Sequence, residues 1–509
     1  MQYSRRTFVG VGLGLAGAQL LRPLRARAAD IRFTTNPFTL GVASGYPEPN
    51  AVVLWTRLAP EPLVPGGGMP ATPIEVQWEL ASDDAFRQVA RRGSVYATPD
   101  WAHSVHVEAT GLTPARDYWY RFTSGGEQSV VGRTRTAAAR GEMPAELKLA
   151  VASCQHYEQG HYAAYKAMAT EALDLVVHVG DYIYEGRGTT RVRSHDAPEA
   201  HTLEDYRQRY AIYKADPHLQ AAHAASPWML TSDDHEVAND YAAERSADLD
   251  PPDLFLARRA AAYQAYYEHL PLPRRFVPFN GRQRLYTSRG FGDLVNLYML
   301  DGRQYRSPHA CGGAGLIEPC AELFAGQRTM LGATQEQWLH GALGASRARW
   351  NLLGQQTLFA HFDQSGPTER RYWADGWNGY PAARGRLVEL FATRTPTNPV
   401  ILSGDIHAFL VNDVNARADD PSSAIVATEL VTTSISSLAA PQQNFDSWRP
   451  ENPNVHLARS DYRGYLRIGV RPERLHADLV AVDDVTRADS PTHVLASFDV
   501  ADGAPGVVR

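Results

Sequence analysis

Cysteine is scarce in this chain, three residues in 509. Three thiols allow one disulfide and leave one over, which excludes a disulfide-stapled scaffold. Excess positive charge is also missing. The 50 Lys and Arg stand against 56 Asp and Glu, a formal charge of −6, which argues against nucleic acid as a main partner. Beyond Ala28 no apolar run approaches the roughly 20 residues that a bilayer span requires, so no transmembrane segment is expected in the mature chain. Hydrophobic residues make up 44 % of the sequence. That is ordinary globular usage, so a large core is expected, from two or more domains or from one large domain with insertions.

The first residues carry an address. Ser4–Val9 reads S-R-R-T-F-V, an apolar stretch runs from Val9 to Leu21, and A-R-A follows at Ala26–Ala28. A basic start, a short apolar run and small residues at a cleavage point describe a signal peptide over residues 1–28. The Arg5–Arg6 pair before Phe8 resembles the twin-arginine export signal. An ordinary secretory signal or a membrane anchor is the plainer reading, but the apolar run is short and glycine-rich for a span. The expectation is a periplasmic or secreted protein, with the twin-arginine export machinery as a partner. In an oxidising compartment Cys311 and Cys320, which flank G-G-A-G-L-I-E-P, are candidates for a disulfide. Cys154 is then the odd thiol, either buried and inert or chemically used.

Residues 36–138 read as an all-β sandwich domain. Ile74, Val76, Trp78 and Leu80 alternate onto one face of I-E-V-Q-W-E-L, S-V-H-V-E-A and D-Y-W-Y-R-F repeat the pattern, and turn residues separate the runs. G-L-T-P-A-R-D-Y (Gly111–Tyr118) is similar to the corner of a fibronectin-type sandwich. Thr136–Ala145, small and polar, reads as a linker. Over 145–500 apolar strands alternate with helical stretches such as His161–Ala169 and Ala257–His269, which argues for an α/β unit. The last third adds E-L-V-T-T-S-I and Y-L-R-I-G-V, strands of a mixed or second sheet. Gly186–Pro217 is charged and irregular, and reads as an excursion over the surface near the site.

Four apolar runs end in metal-type ligands. L-K-L-A-V-A-S-C ends in Cys154, and L-D-L-V-V-H-V-G-D-Y-I-Y in Asp181 and Tyr184. W-M-L-T-S-D-D-H-E delivers Asp233, Asp234, His235 and Glu236, and N-P-V-I-L-S-G-D-I-H delivers Asp405 and His407. Such short β-branched runs read as buried strands, and open α/β sheets bind ligands at strand carboxyl ends. Taken singly, G-D is a common turn and D-D-H-E suits a helix N-terminus. Taken together they read as a metal centre. Thiolate and phenolate suit iron, whereas Asp234 and Asn239 offer hard oxygens to a second ion. Two ions about 3.5–4 Å apart would clamp an in-line displacement at phosphorus. His178 reads as a core histidine. His156, His161, His195, His201 and His218 read as surface or supporting groups.

S-C-Q, G-D-Y-I-Y, D-D-H-E-V-A-N-D and S-G-D-I-H, in this order after a β-module, resemble the PhoD family of alkaline phosphatases. So do F-T-L-G-V-A-S-G (Phe38–Gly45), L-W-T-R (Leu54–Arg57), T-S-I-S-S (Thr433–Ser437) and R-G-Y (Arg463–Tyr465). The resemblance implies a metallophosphoesterase-like sandwich of two mixed β-sheets flanked by helices, preceded by an immunoglobulin/fibronectin-like β-sandwich domain. It implies iron(III) held by Cys154, Asp181, Tyr184 and His407, with Asp181 bridging. Asp234, Asn239 and Asp405 would serve calcium ions, His235 would bind the phosphate or protonate the leaving group, and Gln356 is a further candidate ligand. Where the family opens S-G-D-P, this chain has S-G-Y-P (Ser44–Pro47), a departure expected to stay within the β-module.

The activity implied is hydrolysis of organic phosphate mono- and diesters at alkaline pH, with metal-bound hydroxide attacking directly and inversion at phosphorus. No Ser or Thr occupies a nucleophile position in these motifs. The alternatives are a phospholipase D-like phosphodiesterase and a non-enzymatic calcium-binding structural protein, although the latter has no need of Cys154 and Tyr184.

Overall fold

A computed structural model describes residues 32–365, 369–393 and 396–508. The signal-peptide reading of residues 1–28 lies outside the described residues. Among those described, no helix is long and apolar enough to cross a membrane.

Two large mixed sheets form the body. The ten-stranded sheet holds Leu147–Ala152, Leu175–His178 and Pro227–Leu230 as parallel neighbours at its centre. The seven-stranded sheet has Val295–Met299, Trp350–Gly354, Pro399–Ser403 and Ile425–Val431 running parallel. Strands covered on both faces need apolar side chains throughout, which is why L-V-V-H and P-V-I-L-S read as unbroken runs. One core fills the space between the sheets: Leu149, Val177 and Leu230 from one meet Leu297, Leu352 and Leu402 from the other. Helices cover the outer faces. Leu339 and Leu387 of Gly332–Gly344 and Pro381–Thr393 pack with Leu353 and Ile401. On the far side Tyr165, Leu219 and Tyr266 join the main core.

The N-terminal strands do not stand apart. Val42–Glu48 pairs in parallel with Pro227–Leu230, Gly45 opposite Trp228, and so extends the ten-stranded sheet with Ala51–Arg57 and Ser104–Thr110. A second sheet built on Ile74–Ala81, Val89–Ala97 and Asp117–Ser124 packs over these strands, with Val76, Leu80 and Tyr120 against Val52, Leu54 and Val107. Tyr46, the residue that departs from the S-G-D-P pattern, donates its hydroxyl to the Leu230 carbonyl at 2.7 Å. Its influence therefore leaves the β-module and reaches the strand that feeds Asp233 and Asp234.

Gly186–Pro217 is not irregular throughout. Leu203–Lys214 is a helix, started by a capping box between Thr202 and Asp205. Its inward side is Tyr206, Tyr210 and Tyr213, all buried. Aromatic residues at helical spacing among so many charges hide the amphipathic signal. The helix carries Arg209, also buried, whose guanidinium donates to the Tyr184 and Pro198 carbonyls, so the segment braces the site.

Candidate metal centre

Six parallel strands, three from each sheet, end at one place. Cys154 follows Leu147–Ala152, Asp181 follows Leu175–His178, and Asp233 and Asp234 follow Pro227–Leu230. From the other sheet come Arg303 after Val295–Met299, Gln356 after Trp350–Gly354, and Asp405 and His407 after Pro399–Ser403. The chain turns sharply at four of these residues. Cys154, Asp181, Asp405 and His407 all have left-handed backbones, φ 58°, 57°, 67° and 58°. That region is uncommon for residues other than glycine and collects at functional sites. Gly180 is required just before Asp181: its φ is +125°, and a Cβ there would lie 2.3 Å from that of Asp233.

The donor atoms fall into four groups, each within 4.8 Å: Cys154–Asp181–His407, Asp181–Asp234–His235, Asp233–Asp234–Asp405 and Asp234–Asp240–Asp375. Asp181 and Asp234 are shared, so the groups form one continuous cluster. Tyr184 joins the first, its hydroxyl 2.9 Å from Asp181 Oδ2 and 3.1 Å from His407 Nε2. His407 Nδ1 bonds the Leu438 carbonyl at 2.5 Å, which commits Nδ1 and turns Nε2 toward the cluster. The T-S-I-S-S segment supports this end, as Ser437 Oγ donates to the Cys154 carbonyl at 2.7 Å and contacts the Tyr184 hydroxyl at 2.8 Å.

These residues fit a cation. Asp181 Oδ1 is buried and accepts no hydrogen bond, a costly state for a carboxylate oxygen that a metal ion relieves. Burial and the Asp181 charge push the Cys154 thiol and the Tyr184 phenol up, and a nearby cation reverses that balance. Burial also pushes up Asp233 and Asp405. For Asp234 burial acts the same way, but the charges of Arg303 and His235 outweigh it and hold its carboxyl low.

Several residues here carried little or no signal in the sequence. Arg303 is fully buried, with Nε on Asp233, Nη1 on Asp375 and Nη2 3.3 Å from Asp405. Its place just past the V-N-L-Y-M-L-D run was the available clue. Asp375 also receives Arg306 at 2.5 Å and His309 at 2.8 Å, yet it lies in the turn after the two-residue strand Tyr372–Trp373, which no long apolar run announces. Glu185, next to Tyr184, bonds His235 Nδ1 at 2.7 Å and accepts the Asn239 N–H at 2.7 Å. For His235 burial opposes the charged ring, but Glu185, Asp181 and Asp234 outweigh it and hold its pKa well above the ordinary value.

Two strand-end residues are otherwise engaged. Glu236 accepts the backbone N–H groups of Tyr182, Asp233 and Asp181 at 2.6, 2.7 and 3.2 Å, so it shapes the loops and does not face the cluster. Gln356 gives its amide nitrogen to Thr231, Ser232 and Leu300 and accepts from the Gly302 N–H, so it straps loops together behind the cluster. Asn239 is exposed and lines the cavity, with Nδ2 3.0 Å from Asp240. His178 is a core histidine stacked on Trp228. His156 and His195 are buried in side chain, not on the surface, and the His156 ring lies 4.4 Å from that of Tyr184. Cys311 and Cys320 are disulfide-bonded, which leaves Cys154 as the free thiol.

The family model for PhoD-like phosphatase matches residues 149–479, and that for the PhoD-like phosphatase N-terminal domain matches residues 25–138. Alkaline phosphatase D of Bacillus subtilis (strain 168) is 44 % identical over 512 residues, aligning 97 % of this chain with 87 % of that one. A solved structure of PhoD superposes with a TM-score of 0.90 at 44 % identity, over 94 % of this chain and 93 % of that one. From Cys154 to His407 and through its N-terminal strands, the chain belongs to the PhoD-like phosphatases.

Proposed function

We propose that the protein is an exported alkaline phosphatase that hydrolyses phosphate mono- and diesters at a centre of iron(III) and calcium. The carrying observation is that a thiol, a phenol and an imidazole gather on Asp181 at one end of a continuous carboxylate cluster. The soft and phenolic donors suit iron, and the oxygen-only end suits calcium. Cys154, Asp181, Tyr184 and His407 would hold the iron. Asp234, Asn239 and Asp405 would serve calcium, with Asp240 as a further oxygen donor, while Asp375 is held by Arg303, Arg306 and His309. When bound, such ions supply Lewis acidity, acidifying water and offsetting charge on phosphoryl oxygens.

The chain's own groups do the rest. His235, fixed by Glu185 at Nδ1, holds a proton at Nε2 for the leaving oxygen or for a phosphate oxygen. The Ser437 hydroxyl, which touches Tyr184, is committed to the Cys154 carbonyl, so direct displacement with inversion is expected. Export fits the Cys311–Cys320 disulfide, a bond that persists in oxidising compartments. Hydrolysis of p-nitrophenyl phosphate and bis-p-nitrophenyl phosphate, with and without a calcium chelator, tests this reading. Turnover should fall on chelation and return with calcium. Turnover indifferent to chelation would contradict the calcium role.

A further inference from the structure

A cavity of about 570 Å³ opens from the cluster. Its inner end is Asp181, Asp234, His235 and Asp405, which leaves a phosphoryl group well served there. The remainder of its wall is mixed: Leu316, Leu358, Trp373, Ile406, Phe445 and Trp448 supply large apolar surface, with polar groups such as Gln364, Asn378 and Asn444 between them. Leu316 and Trp373 pair directly in a two-stranded ribbon, and each is 40 % exposed. Adjacent large apolar side chains at the mouth of a site mark a binding surface rather than a solvated edge. The ribbon is held in place: Leu316 lies inside the Cys311–Cys320 loop, and Ala374 donates its N–H to the Gly315 carbonyl at 2.9 Å. Trp448, on the short helix Gln442–Trp448, is set edge-on against Phe445 and Phe362 at 5.2 and 6.1 Å between centroids. The Trp448 indole and the ribbon that carries Trp373 are therefore positioned before anything binds.

We propose that this wall receives the alcohol arm of the ester and selects arms that carry a flat apolar ring. The proposal rests on the phosphate-ester reading above, and it assigns Trp373 and Leu316 as specificity-determining residues, with Trp448 as a fixed platform. The cavity is continuous with the phosphoryl end, so an ester seated on the cluster must send its arm along it. Ring-on-indole contacts add about two- to tenfold in affinity beyond their buried area, which favours rings over alkyl chains of equal size.

Binding of non-hydrolysable phosphonates to the metal-loaded protein separates this idea from the activity. Calorimetry would compare methylphosphonate, 2-naphthylmethylphosphonate and decylphosphonate on the wild type, Trp373→Ala, Trp373→Phe and Leu316→Ser. The naphthyl compound should bind about tenfold more tightly than the methyl one. That advantage should shrink severalfold in Trp373→Ala and Leu316→Ser and persist in Trp373→Phe. Equal affinities in the wild type, an advantage that survives both Trp373→Ala and Leu316→Ser, or a decyl compound that binds as tightly as the naphthyl one, would overturn it. If no phosphate ester is turned over and the naphthyl preference holds, the hydrolase reading fails and the ring site stands.

Discussion

Glu185 and His235 meet at 2.7 Å, Oε2 to Nδ1, while the other oxygen of Glu185 accepts the Asn239 N–H at 2.7 Å. One carboxylate thus fixes the ring that faces the cavity and the turn that presents Asn239. The same carboxylate is buried, so its removal leaves two polar groups without a partner.

Glu185→Gln keeps the shape and removes the charge. Catalysis through a positioned histidine contributes about 10²–10⁴-fold, so kcat should fall at least about tenfold with KM little changed. Glu185→Ala should also lose about 1–3 kcal/mol of stability through the orphaned groups. Steady-state kinetics and denaturant unfolding of the two variants check both effects. Wild-type kcat in Glu185→Gln would remove His235 from the chemistry.

Gly180→Ala places a methyl group 2.3 Å from the Asp233 Cβ at a φ of +125°. The two strands that end in Asp181 and Asp233 must then separate. The expected outcome is a loss of at least about 2 kcal/mol together with reduced metal content. A variant as stable and as fully loaded as the wild type would show that the close approach is not required.

The strand-end donors were legible because the strands that carry them are buried on both faces. L-V-V-H and P-V-I-L-S leave few readings, and whatever polar residue follows such a run must lie at the sheet's end. What the sequence hides is how the turn is made. Cys154, Asp181, Asp405 and His407 adopt left-handed backbones without being glycine, and nothing in their identity announces it. Glu236 looks like a ligand because carboxylates that bind metals and carboxylates that accept backbone N–H groups are the same residue type. Asp375 was invisible because Arg303 and Arg306, not a strand, hold it in place. Leu203–Lys214 was hidden because its buried side is tyrosine and arginine, residues that hydropathy counts as half polar.

Lys214 is fully enclosed near the N-terminal strands, its ammonium 4.1 Å from the Trp55 ring. Burial lowers its pKa to about 7, against about 10.4 in an unfolded chain. Between those values the unfolded chain holds a proton that the folded chain has released, so stability rises with pH across that window. Below about pH 7 the cost is present in full. Lys214→Met should therefore be the more stable protein at neutral pH and should lose the rise toward pH 10. Denaturant midpoints at pH 7 and 9.5 measure this; parallel slopes for the two proteins would contradict it.

Opening the Cys311–Cys320 loop should act on selection more than on chemistry. The paired Cys311→Ser and Cys320→Ser variant loosens the ribbon that carries Leu316 and Trp373. The preference for the naphthyl over the methyl phosphonate should drop severalfold, and stability by up to about 3 kcal/mol. An undiminished preference would show that the ribbon holds its place without the disulfide.

Elemental analysis of the purified protein, wild type beside Cys154→Ser and Tyr184→Phe, tests the metal centre most directly. About one iron per wild-type chain is expected, with calcium alongside it, and iron lost or sharply reduced in both variants while calcium is largely kept. A wild type without iron, or variants that retain it in full, would contradict the assignment of Cys154 and Tyr184.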